Sequence, residues 1–198
     1  QRENLNVSFV GPASTSAVQE LAALPGVRYA EATRAAPVRL RHEHREYDTA
    51  IQGIPPDAYL RRVIDTQLEP IAIPSHGIVL TERLAEILEA REGDAIVVEV
   101  REGARRTRSV SVAGITQQYV GLAAYMEISE LNRLVGNGAA VSGALLLTDA
   151  RAEERLTREL RDRPKVASIV SQERMIASFR ETRGRSMLTM TLSLTRFA

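Results

Sequence analysis

Apolar residues recur along this chain in two rhythms, every second residue and every third to fourth, and those rhythms divide it into strands and helices. Leu5 to Val10 alternates as a strand, which Gly11-Pro12 is expected to break. Ser14, Thr15 or Ser16 then offers an N-cap for a helix through Leu24, with Val18, Leu21 and Ala22 on one face and Pro25-Gly26 as its stop. A strand starts at Val27. Val38 and Leu40 alternate with Arg39 and Arg41, and Tyr47, Thr49 and Ile51 alternate with Asp48, Ala50 and Gln52. That pattern predicts a hairpin with its polar tip at His42 to Arg45.

The middle of the chain continues with shorter pieces. Pro55-Pro56-Asp57 is expected to start a short helix carrying Tyr59, Leu60, Val63 and Ile64, followed by an irregular stretch with Pro70 and Pro74. Ile78-Val79-Leu80 reads as a strand. Thr81 is the expected cap of a helix with Leu84, Ile87 and Leu88 on one face, ended by Gly93. Ile96, Val98 and Val100 form one face of a strand, and the turn Glu102-Gly103-Ala104 returns the chain to Val110 and Val112. Ser129 is the expected cap of a further helix that buries Leu131, Leu134 and Val135 and closes at Gly136-Asn137-Gly138.

The last third repeats the first. A shift of 139 residues lays Val7 on Leu146, Leu21 on Leu160, Pro25 on Pro164 and Val27 on Val166, with Asp149 as the expected cap of the second helix. Two strand-helix-strand units around a different middle predict an α+β fold: a split lobe with an inserted, strand-rich second lobe. The boundaries are residues 1–45 plus 140–180 for the split lobe and 46–139 for the insertion. In a ferredoxin-like sheet the first and fourth strands are antiparallel neighbours. The chain near Leu5 and Ser171 should therefore leave the lobe within about 10–15 Å.

Composition narrows the function classes. The 198 residues carry 26 basic and 25 acidic side chains, so no net basic excess points to nucleic acid. There is no cysteine, hence no disulfide, no thiolate metal site and no cysteine nucleophile. Lys165 is the one lysine, a bias that reads as compositional. The chain opens Gln1-Arg2-Glu3-Asn4 with no initiator Met and no signal pattern, and closes on Ser186 to Ala198, too short and polar to span a bilayer. Those ends are expected of a fragment cut from a longer protein, with residues 181–198 as a juxtamembrane helix stump.

Motifs for chemistry are scarce. No Gly-Lys pair exists for a phosphate loop, and Gly136-x-Gly138 meets Val141 where a dinucleotide fingerprint needs glycine. His42 and His44 could face one metal ion from a strand, yet His76 is the sole other histidine, and a solvated hairpin tip is expected instead. Arg101, Arg105, Arg106 and Arg108 could meet anionic lipid or an acidic partner; a solvated hairpin face is the expectation. Ala140 stands where a Gly-x-Ser-x-Gly elbow around Ser142 needs glycine. The carboxylates Glu153, Glu154 and Glu159 interleave with Arg155, Arg158 and Arg161 as helix-surface pairs. Tyr119, Val120, Leu122, Tyr125 and Met126 form either a partner surface or a strip packed on the helix at Ser129. No catalytic, cofactor or metal residue is assigned, and no enzyme is expected.

Several stretches taken together carry a family resemblance. Leu24-Pro25-Gly26-Val27, Gly53-Ile54-Pro55-Pro56, Gly77 to Ala85, Glu92-Gly93-Asp94 and Val110 to Ile115 follow in that order. Over about residues 5 to 180 the chain resembles the extracytoplasmic domain of MacB/FtsX-like ABC transporter permeases. Ser178-Phe179-Arg180-Glu181-Thr182 resembles that family's entry into its next membrane helix. The resemblance implies a porter-like split lobe and a sabre-like inserted lobe, without catalytic residues. It implies a domain on the periplasmic or extracellular side of the cell membrane, tethered at both ends. Its implied partners are a cytoplasmic ATPase, a second permease copy or homologue, and a transported substrate or extracytoplasmic protein. A ligand-binding or sensing module of a membrane receptor is the alternative, and a secreted enzyme a distant third.

Overall fold

Residues 4–65, 67, 69–117 and 121–171 are described by a computed structural model of the chain. The first strand, β1 (Leu5–Ser14), runs past Gly11-Pro12 and does not stop there. Its partner is β8 (Ala140–Thr148), with Leu5 opposite Leu146 and Ser8 opposite Gly143. Pairing then resumes only at Ala13 opposite Val141, so the breaker residues are absorbed as a bulge that leaves Val10 exposed. Close approach fixes this pair: a Cβ on Gly143 would lie 2.1 Å from the Val7 carbonyl oxygen. Helix α1 (Ser16–Ala22) follows, burying Val18 and Leu21 but not Ala22, with Thr15 at its N-cap position and no side-chain cap bond.

The predicted repeat is a single antiparallel sheet. The first half of β2 (Val27–His42) pairs with β8, and β9 (Val166–Ser171) pairs with the outer side of β1. Strand order is therefore β2-β8-β1-β9, the arrangement of two interleaved strand-helix-strand units. Leu5 is the direct partner of Ser171, as the ferredoxin-like geometry requires. Helices α1 and α4 (Glu153–Arg161) cover one face, where Leu5, Val7, Leu21, Val141, Ala144, Leu146, Leu156 and Leu160 make a core. Asp149 does not cap α4. It precedes a single 3-10 turn (Ala150–Ala152), and its carboxylate pairs with Arg28.

The second half of β2 belongs to a different core. It pairs with β3 (Arg45–Ile54) on one side and β5 (Ala95–Val100) on the other. Strand β3 pairs with β7 (Ala124–Glu127), β7 with β4 (Ile78–Thr81), β4 with β6 (Thr107–Thr116) and β6 with β5. Six strands thus close on themselves, leaving no free edge in that ring. Inside lie Val38, Leu40, Ile51, Ile78, Leu80, Ile96, Val98, Val112 and Met126. Helix α2 (Glu82–Leu88) packs at the tip of the β2–β3 hairpin, and α3 (Ile128–Val135) packs at the opposite end.

Local signals in this half resolve differently from expectation. The Thr81 hydroxyl accepts from the Ala123 amide at 3.2 Å and makes no cap bond to α2. Helix α2 ends with Glu89 in the left-handed region, at φ 53°, while Gly93 serves the turn into β5. The α3 cap is the Glu127 carboxylate, which accepts from the amides of Ser129 and Glu130; the Ser129 hydroxyl merely supports it. Gly136 closes α3 as predicted. No helix forms at residues 55–64, because Glu31 takes the backbone amides of Tyr59 at 2.6 Å, Leu60 at 2.8 Å and Arg61 at 3.4 Å. Helix formation would need those amides turned inward along its own axis. Tyr125 and Met126 are buried while Leu122 is exposed; Tyr119 and Val120 lie outside the described residues, as do residues 172–198 with the expected stump.

Gly143→Ala should therefore lower stability by about 3 kcal/mol, the upper range for overpacking, because backbone and not a flexible side chain blocks the new methyl. Urea unfolding followed by circular dichroism reads this. A change within about 0.5 kcal/mol would mean that β1 and β8 are not held this closely.

Candidate functional site

The two cores meet where β2 exchanges partners. Its pairing with β8 ends at Thr33, and its pairing with β3 begins at Arg34. Arg34 is in phase with Ala36, Val38 and Leu40, so backbone alternation turns its side chain inward. The guanidinium has no exposed surface. Its Nη2 donates to Glu102 Oε1 in the β5–β6 turn, and Nη1 reaches Glu102 Oε2 at 3.4 Å. Nη1 also donates to the Ala35 carbonyl at 2.8 Å and to Ser142 Oγ of β8 at 3.1 Å. Nε donates to Asn132 Oδ1 of α3 at 3.3 Å.

This side chain joins β2, β8, α3 and the β5–β6 turn. Burial lowers the Arg34 pKa below its usual value, since low-dielectric surroundings disfavour the charged form. Besides accepting from Arg34, Ser142 Oγ donates to the Ala35 carbonyl and accepts from the Ala35 amide. Its hydroxyl thus joins β8 to β2 at the point of crossing. Sequence reasoning overlooked Arg34, although an arginine in register with an apolar strand face was a readable signal.

Beside this waist lies a cavity of about 240 Å³ lined by polar side chains of both cores, among them Asn6, Ser8, Gln52 and Ser142. Glu31, on its wall, anchors the 55–61 segment across the sheet face that α1 and α4 leave open. Tyr59 meets Tyr29 edge-on there, with ring centroids 5.6 Å apart. Burial, then the charges of Glu31 and Asp57, raises the Tyr29 pKa above its ordinary value.

The other sequence candidates separate. His42 Nδ1 lies 3.0 Å from the Leu88 carbonyl at the end of α2, with Nε2 3.7 Å from Asp94. His44 sits past the turn residue Glu43 and is exposed, and His76 faces Glu130 of α3. The histidines thus do not line one strand face, since the chain turns between the first two. Among the described residues no three histidine or carboxylate groups are placed around a common point. On the outside of the ring, Arg39 pairs with Asp48 and Glu46, Arg41 with Glu99, and Arg101 with Asp48 and Glu99. Arg105, Arg106 and Arg108 are exposed. On α4 the pairing expected of the acidic run reduces to Glu159 with Arg155, while Glu153 accepts from the Ser171 hydroxyl.

The fold is that of known transporter domains. The periplasmic region of MacB from Actinobacillus actinomycetemcomitans superposes with a TM-score of 0.57 at 11% identity, over 90% of this chain and 92% of that one. The extracellular domain of the noncanonic ABC-type transporter YknZ from Gram-positive bacteria superposes with a TM-score of 0.52 at 13% identity, over 78% and 89%. The chain matches no family model and no curated protein sequence. Among the described residues no helix is long and apolar enough to cross a membrane.

Two outcomes follow from the charges. Glu102→Ala strands a buried guanidinium and should destabilise the chain by about 3 kcal/mol, while adding Arg34→Met should cost less than the two single changes summed. Chemical denaturation of the three variants reads this, and strict additivity would show that the pair is not coupled. The Arg39 guanidinium, donating at 2.8 Å from Nε and from Nη2, holds the Asp48 carboxyl below its ordinary value. What Asp48 contributes to stability is thus present above the unfolded-state carboxylate pKa and lost as pH falls through the lowered one. Carboxyl-carbon NMR should show Asp48 titrating higher once Arg39→Gln is introduced; an unmoved titration would contradict the assignment.

Proposed function

We propose that the chain is the extracytoplasmic domain of an ABC transporter permease. It is tethered to the membrane at both ends and couples cytoplasmic ATP hydrolysis to export or extraction of a substrate, or to a partner protein outside. The observation that carries this reading is the pairing of Leu5 with Ser171. A domain held by two membrane helices must send both tethers into one bilayer from one side, and neighbouring strands lie about 4.8 Å apart. The fold shared with the periplasmic region of MacB and the extracellular domain of YknZ supports the reading.

In this reading residues 1–45 with 140–180 form the porter-like lobe and 46–139 the sabre-like lobe, with β2 beyond Arg34 lending Ala36, Val38 and Leu40 to the core of the latter. Residues 181–198 lead into the second tether. The ATPase is a separate cytoplasmic subunit or domain, and a second permease copy or homologue completes the transporter. The domain's work is mechanical: β2 is one unbroken strand through both cores, and Arg34 ties the two at the point of crossing. A displacement of the tethers at the sheet is thereby passed to the closed ring.

Thiol labelling of the full-length protein tests the orientation. The chain has no cysteine of its own, so Val10→Cys on the exposed bulge introduces a single reporter once any cysteines elsewhere in the protein are replaced. A membrane-impermeant maleimide should label it in intact cells whose outer layers have been made permeable to the reagent. Labelling that appears only after the membrane is disrupted would place the domain in the cytoplasm and end the permease-domain reading.

A further inference from the structure

The turn between β5 and β6 separates its charges by side. Its carboxylate, Glu102, is turned inward onto Arg34, so it no longer balances the arginines beside it. Arg105, Arg106 and Arg108 stay exposed, and among the described residues none of them has a carboxylate within ion-pair distance. The neighbouring ring surface behaves oppositely: Arg39, Arg41 and Arg101 are each answered by Asp48, Glu46 or Glu99.

The turn is also held in shape. The Val100 amide donates to the Arg106 carbonyl at 2.8 Å, the Arg105 amide to the Glu102 carbonyl at 3.1 Å, and the Arg101 amide to the Pro37 carbonyl at 2.8 Å. The Arg106 guanidinium lies against Gly136 at the end of α3, where a Cβ would come within 2.3 Å of it. A turn whose main chain is already fixed keeps these three unpaired guanidinium groups on one short stretch, and such groups favour planar, bidentate carboxylate ligands with no loop ordering to be lost on binding.

We propose that this surface, formed by Arg105, Arg106 and Arg108, docks an acidic segment of a protein partner outside the membrane. The choice of a protein over anionic lipid rests on the tethered-domain reading above. Seven residues of β2 separate Val27, at the end of the sheet where the chain enters and leaves, from Arg34 beneath the turn. That is about 23 Å at strand rise, nearly three Debye lengths at physiological salt. Headgroup charge is screened out at that height. A partner bound there pulls on the same turn that supplies Glu102, so its docking bears directly on the waist.

The test uses this chain with a fluorescent oligoglutamate peptide, an oligoglutamine peptide and phosphatidylglycerol vesicles as probes. Oligoglutamate should bind saturably and more weakly as salt rises, while oligoglutamine should not bind. Arg105→Glu/Arg108→Glu should weaken the complex about tenfold or more. Arg151→Glu/Arg158→Glu, exposed residues in the 3-10 turn and on α4 with the same change of net charge, should leave it within about twofold. Circular dichroism confirms that both variants fold. Equal losses in the two variants would reduce the effect to net charge and overturn the proposal, as would absence of peptide binding. Vesicle binding abolished by the Arg105/Arg108 change would reassign the surface to lipid. The test does not depend on membrane orientation, so its failure and a failure of thiol labelling are separate results.

Discussion

A guanidinium with no exposed surface has to be answered group by group, and the answers to Arg34 come from four different parts of the chain. Ala35 is its sequence neighbour, but Glu102, Asn132 and Ser142 are brought from far along the sequence. Each of those groups has its own reason to be where it is: a tight turn, a capped helix, a strand opposite β2. The arginine can be buried only if all of these are in place together. That requirement ties the helix-covered sheet to the closed ring more specifically than apolar contact could, because hydrophobic surfaces tolerate sliding and a forked donor does not.

The same crossing point explains why one strand serves two cores. Upstream of Arg34, β2 gives Ala30 and Ala32 to the core beneath α1 and α4; downstream it gives Ala36, Val38 and Leu40 to the ring. An inserted unit that interrupted β2 would need linkers on both sides. Here the insertion begins in mid-strand without a break in hydrogen bonding, and the chain returns through β8, whose Gly143 lets β1 approach closely.

Much of this architecture was legible because it depends on local alternation. The hairpin from Arg34 to Gly53 follows from Val38, Leu40, Tyr47 and Ile51, and the two strand-helix-strand units follow from the spacing of Val7, Leu21, Leu146 and Leu160. What escaped was decided at long range. Glu31 removes a helix some 30 residues away by taking its amides, and Thr81 gives its hydroxyl to Ala123 instead of its own helix. Asp149 is claimed by Arg28, and the Gly11-Pro12 break is absorbed because β8 on one side and β9 on the other keep β1 in the sheet. Capping residues carry a short menu of partners in the sequence, and the tertiary structure offers better ones. The waist was hidden for a related reason: an arginine among alternating residues reads as a surface position until its distant acceptors are known.

The antiparallel pairing of β1 with β9 places the outgoing chain beside the incoming one, and this sets how the sheet bears load. If both ends are drawn the same way by the same amount, the pair translates as a body and no inter-strand hydrogen bond is stretched. If one end is drawn sideways from the other, the bonds at Leu5 and Ser171 take the force first and open one after another, as a zipper does, not all at once as strands pulled in shear would. Resistance to that peeling comes from one ladder rung at a time. Such a sheet is stiff toward common motion of its two ends and yielding toward their separation, so it distinguishes a piston stroke from a spreading of its supports.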